Sequence, residues 1–155
     1  MGNPWIYIVA AAIATGVVLF WRRWSSAQRA AQRERAMQQF DPHRGELAKQ
    51  FLAAAAATGK PRGLRWKSVD LSGQPVFATD LANGELVALI AATISFEAIE
   101  GGDMEDVEAV GNLRSATAVF VAHNGDWTTD GRVIFNLEPA EAMQRFQSAL
   151  APISS

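Results

Sequence analysis

Along the chain, the rhythm of hydrophobic and polar positions changes three times. Residues 4–21 (PWIYIVAAAIATGVVLFW) form an 18-residue run without a charge. At about 1.5 Å per helical residue the run reaches roughly 27 Å, close to the thickness of a bilayer's hydrocarbon core. Backbone polar groups in lipid must be satisfied within the segment, so a single membrane-spanning helix is expected here. Trp5 and Tyr7 stand at one end of the run, and Trp21, Arg22, Arg23 and Trp24 at the other, where such side chains suit a membrane–water interface. Ala12 and Gly16, alongside Ala10 and Ala14, make a small-xxx-small pattern that allows another helix to approach.

Residues 25–40 (SSAQRAAQRERAMQQF) favour helix by composition but carry only a thin apolar stripe: Ala27, Ala30, Ala31, Met37 and Phe40. They are read as a basic juxtamembrane linker. Asp41-Pro42 then signals a new helix, with Asp41 as N-cap and Pro42 in the first turn. It is expected to run to Thr58 and stop at Gly59 and Pro61. Leu47, Phe51, Ala54, Ala55 and Thr58 form its packing face.

From Gly63 the period becomes two. Strands are predicted over 63–71 and 76–81, separated by the turn residues Ser72-Gly73-Gln74-Pro75. Asn83-Gly84 is a two-residue hairpin signal before a long strand over 85–99, whose even positions are all apolar and should face the core. A short strand is predicted over 107–110, and another over 114–123. Asn124-Gly125 is a second hairpin signal, and 127–137 reads as the returning strand. Glu138-Pro139 opens a closing helix with the stripe Ala142, Met143, Phe146, Ala149 and Leu150.

These elements define an α+β protein: a transmembrane helix, a second helix, an antiparallel meander of five or six strands, and a C-terminal helix. The helices are expected on one face of the sheet. Hairpin-joined strands cannot build a parallel sheet, which excludes a doubly wound nucleotide fold. A sheet curved around a helix, as in cystatin-like or NTF2-like folds, is the shape expected by analogy. The segments divide the chain into an anchor over 1–24, a linker over 25–40 and a domain over 41–155.

Charge adds an orientation. Residues 1–70 hold eleven Lys/Arg against four Asp/Glu, and residues 71–155 hold three against twelve. The N-terminal flank of the apolar run has no Lys or Arg, whereas Arg22, Arg23, Arg29, Arg33 and Arg35 follow it. Positive flanks stay inside, so a single-pass protein with its C-terminal domain in the cytoplasm is expected. A cleaved signal peptide would begin with basic residues and end at a small-residue site. Here Met1-Gly2-Asn3 precedes the run and Trp-Arg-Arg-Trp follows it. Met1-Gly2 does not complete a myristoylation signal, because Ile6 stands where Ser or Thr is required.

Candidate chemistry is sparse. The chain has no cysteine, which removes disulfides, thiolate metal sites and cysteine nucleophiles. His43 and His123 lie eighty residues apart without a metal-binding spacing. No nucleophile elbow, P-loop or dinucleotide fingerprint occurs. No cofactor, metal or catalytic set is expected. Glu97 and the cluster Glu100, Asp103, Glu105, Asp106 and Glu108 form the one constellation to weigh. It suits a solvated loop, a hard cation, or docking onto a basic surface, whether a partner's or the chain's own linker. Trp66 among Arg62, Arg65 and Lys67 resembles a nucleic-acid patch, but the acidic domain opposes a polyanion.

The expected function is that of a membrane-anchored, non-catalytic interaction or accessory subunit. Its partners would be the lipid bilayer and either another protein or a second copy, with no nucleic acid. The alternative is a small-ligand-binding module, or a weakly marked enzyme, with a pocket between sheet and helix lined by Phe96, Trp127, Phe135 and Phe146.

Overall fold

The computed structural model describes residues 4–59 and 63–153. Gly2, Pro61 and Arg62 therefore lie outside the described residues. The first element, α1 (Pro4–Phe40), is one unbroken helix of 37 residues, so the apolar run and the basic linker share a single rod. It is long and apolar enough to cross a membrane, and among the described residues none of its apolar window is buried. Its last turn behaves differently. Ala36 and Phe40 are fully buried in the domain core, and the Arg33 guanidinium donates to the Gly84 carbonyl at 2.5 Å.

Three turn residues, 41–43, separate α1 from α2 (Arg44–Thr58). The helix start is displaced from the expected Asp41-Pro42, since His43 occupies the N-cap and makes no side-chain cap. Proline disfavours helical backbone at the residue before it, which places Asp41 in the turn. Asp41 there pairs with Arg44, whose guanidinium also donates to the Gly73 carbonyl at 2.9 Å. Leu47, Phe51 and Ala55 are the face that α2 buries.

The sheet is antiparallel throughout. Its strands are β1 (Leu64–Asp80), β2 (Leu86–Ala98), β3 (Arg114–His123), β4 (Asp126–Thr128), β5 (Val133–Phe135) and β6 (Leu150–Pro152). Their order is β4-β3-β2-β1-β6, with β5 also paired to β3. The two strands expected over 63–71 and 76–81 are one strand. Ser72 pairs with Ala91 and Val76 with Leu89, so Gly73-Gln74-Pro75 is absorbed as a bulge. Gly73 supplies the positive φ of +72° that the bulge requires. Asn124-Gly125 forms the expected type I′ turn, both residues having positive φ. Asn83-Gly84 does not. Only Gly84 is positive there, and the Asn83 side chain instead accepts from the Glu85 N–H at 2.9 Å within a longer loop.

Strand β2 is buried on both faces in its first half. Ala88, Ile90, Ala92, Ile94 and Phe96 meet Phe40, Phe51 and Phe120 in the larger core. Val87 and Leu89 join Val119, Ala142 and Met143 in a smaller one. The helices therefore lie on opposite faces, not on one. Val87 and Leu89 are apolar and need the cover of α3 (Pro139–Arg145), while Thr93, Ser95 and Glu97 do not. Helix α3 is shorter than expected, having seven residues behind a Glu138/Glu141 capping box. Leu150, expected on its stripe, pairs with Asp80 in β6.

Two further expectations change on the β3 side. The strand expected over 107–110 is a 3₁₀ turn, Glu108–Gly111. Both edges of β3 are taken by β2, β4 and β5, so no ladder is open to it. The returning strand over 127–137 is split into β4 and β5. Gly131 lies between them at φ +78°, so close to α2 that a β-carbon would stand 2.3 Å from the Ala55 nitrogen. The Thr129 hydroxyl donates to the Val119 carbonyl at 2.8 Å and ties this interruption to β3.

Candidate functional site

The sheet has two unlike ends. At one, the loop after β1 and the Asn124-Gly125 turn lie against α1 around Arg29–Ala36. At the other, β2 ends at Ala98 and β3 begins at Arg114, joined by an acidic loop and the 3₁₀ turn. The 13 residues of β2 separate the two ends by roughly 40 Å at the usual strand rise.

A groove of about 580 Å³ opens at the far end. Leu64 and Trp66 of β1, Phe96 of β2, and Val133 and Phe135 of β5 form its floor and one side. Ala55, Thr58 and Gly59, at the end of α2, close another side. Met104, Val107, Ala109 and Val110 form the outer wall. The polar side chains Arg114 and Asn136 also line it. The register sets this composition: Trp66 lies opposite Phe96 in the ladder, and their tilted rings pack with centroids 4.8 Å apart. The Trp66 indole N–H donates to the Gly59 carbonyl at 2.8 Å, tying the end of α2 to β1.

The acidic loop is the groove's outer wall turned to solvent. Glu100, Asp103, Glu105, Asp106 and Glu108 are all exposed. The loop has internal order: Glu105 accepts from the Gly101 N–H at 2.9 Å, and the Gly102 N–H donates to Ile99 at 2.9 Å. Glu97 is engaged elsewhere, paired with Arg65 at 2.7 Å. Among the described residues no group of three His, Cys, Asp or Glu could hold a metal ion. His123 approaches Glu85 at 3.3 Å, and His43 meets the Gln39 carbonyl at 2.9 Å. The loop and the chain's own linker stand apart within one molecule, Arg33 of the linker donating to Gly84 at the other end of the sheet.

Of the four residues expected to line a pocket, Phe96 and Phe135 do. Trp127 does not. Its ring packs 5.1 Å from Phe40 and 5.9 Å from Phe77, and its N–H donates to the Ala36 carbonyl at 2.7 Å. Phe146 lies on the opposite face, near Val87 and Leu89. Trp66, Met104, Val107 and Arg114 line the groove without having been singled out for it. The alternation of Trp66 with its neighbours was the available signal. The aromatic residues Trp5, Tyr7, Trp21 and Trp24 are exposed on α1, as are Arg22 and Arg23. Ala12 and Gly16 are exposed too, and a β-carbon at Gly16 would meet nothing within 4 Å.

No protein-family model matches the chain, and neither a curated protein nor a solved structure matches it.

Proposed function

We infer that the chain is a single-pass, membrane-tethered docking subunit without catalytic activity, its domain held at the cytoplasmic face. The observation that carries this is the continuity of α1. One rod runs from an apolar, uncovered first half to a final turn buried in the domain core. A flexible tether would leave the domain free to tumble, whereas a continuous helix fixes its height and which end faces the bilayer. Trp5, Tyr7, Trp21, Arg22, Arg23 and Trp24 would anchor the span, and Arg29 would face anionic headgroups. The acidic loop is then held far from the membrane, where like charge would repel it. Ala12 and Gly16 leave a face on which a partner's span could pack.

Gentle detergent extraction of the tagged full-length protein, followed by native mass and identification of co-purifying chains, tests the reading. A stoichiometric protein partner is expected. A reporter fused after Ser155 should be active only in the cytoplasm, and activity only outside would overturn the orientation.

The groove favours a second reading, a module that binds an apolar small molecule between Phe96, Phe135 and the end of α2. Under that reading, native mass spectrometry of the extracted protein shows a lone chain carrying a retained small-molecule adduct.

A further inference from the structure

We propose that the groove at the far end of the sheet is the docking site for a basic, amphipathic segment of a partner protein. The inference rests on the docking reading above and gives it a location. Val107 and Phe135 both line the groove and remain 39% and 42% exposed. Ile99 and Leu113 are exposed at the same end of the sheet, Leu113 to 68%. Apolar surface thus continues from the cavity onto the exterior, which suits an extended occupant better than an enclosed one.

Charge selects the class. The loop that forms the outer wall turns Met104 and Val107 to the groove and leaves Glu100, Asp103, Glu105, Asp106 and Glu108 in solvent. Among the described residues the cations near this end are Arg114, Lys67 beside Trp66, and Arg65, which is committed to Glu97. A segment that seats apolar anchors in the groove therefore meets the carboxylates of the outer wall along one side, and Lys or Arg there complements them. The loop's internal hydrogen bonds order the backbone that carries those carboxylates, so less ordering is lost on binding. A fatty acid would bring its own negative charge beside the same carboxylates. A second copy in the same bilayer would hold its basic residues around Arg29 and Arg33, roughly 40 Å away at the other end of the sheet.

Site-specific photo-crosslinking of the full-length protein in its own membranes tests this. Benzoylphenylalanine replaces Phe135 or Val107 in the groove, and Leu81 at the opposite end as a control. The expected result is a protein adduct from the two groove positions and not from Leu81. The crosslinked peptide should carry Lys or Arg beside apolar residues. Combining Asp103→Lys, Asp106→Lys and Glu108→Lys, which spares the Glu105 bond to Gly101, should lower the adduct yield roughly tenfold, with the melting temperature of the variant unchanged. A crosslink to a lipid or small molecule, to a second copy, or to a peptide without basic residues overturns the proposal. So does a yield that ignores the charge reversals. Protein adducts confined to Leu81 remove the groove as the site and leave membrane-tethered docking standing. No protein adduct at any position, together with a lone native mass, removes both.

Discussion

Both ends of the α2-covered face of the sheet are aromatic, and only one is filled. Near α1, Phe40 sits edge-on to Phe77, Phe120 and Trp127, with ring centroids 5.1–6.1 Å apart and no exposure of its own. At the far end Trp66 and Phe96 pack just as closely, yet Phe135 stands half in solvent and a cavity remains. The residue types are alike. What differs is whether another element reaches the site. The last turn of α1 enters from outside the sheet and plugs one end with Phe40. Helix α2 stops at Thr58, and Gly131 lies against it, so among the described residues no aromatic side chain plugs the other end. Packing in the first region serves stability, whereas the second keeps an open cavity.

The largest expected effect breaks the filled end. Phe40→Ala should destabilise the protein by about 3–5 kcal/mol, the usual cost of emptying a buried phenylalanine site. Urea unfolding in detergent would measure it. Removing residues 1–24 should cost the domain almost nothing, whereas a cut that also removes Phe40 should unfold it. A stability change below about 1 kcal/mol for Phe40→Ala would mean that α1 merely abuts the domain.

Gly131→Ala comes next. The substitution forces a side chain into a left-handed conformation at φ +78° and drives its β-carbon into the backbone of Ala55. A loss of about 2–3 kcal/mol is expected, together with displacement of the end of α2, which should raise the exposure of Trp66 to a fluorescence quencher. Trp127→Phe is milder. It keeps an aromatic ring beside Phe40 but removes the hydrogen bond to the Ala36 carbonyl, a loss of about 1 kcal/mol by thermal unfolding.

Local patterns were the legible part of this fold. The uncharged run, the period of β2 and the type I′ turn at Asn124-Gly125 are each specified by residues next to one another, and each appears where expected. Long-range partners were harder to read. Nothing within residues 25–40 says that Phe40 will meet Phe120, because that contact depends on the angle at which α1 leaves the turn at Pro42. The bulge at Gly73 looked like a chain reversal because Ser-Gly-Gln-Pro serves either use, and only pairing with β2 decides between them. Helices on both faces were foreshadowed by apolar Val87 and Leu89, odd positions that a one-sided sheet would have left polar. The groove was half legible. Phe96 and Phe135 could be named from alternation, but Met104 and Val107 lie in a loop whose acidic composition conceals an apolar inner side.

The smallest effect on stability should coincide with the clearest effect on binding. Phe135 is 42% exposed, so Phe135→Ala removes little buried area and should change stability by no more than about 1 kcal/mol. If the open end exists to receive a partner, the same substitution deletes an aromatic anchor and should weaken capture of the co-purifying chain by roughly tenfold. Phe40→Ala predicts the reverse pairing: a large loss of stability, with capture falling only as far as the folded fraction falls. Measuring both quantities on both variants separates the two ends. Were Phe135→Ala to cost as much stability as Phe40→Ala, the open end would be core after all, and its exposed aromatic surface would need no partner to explain it.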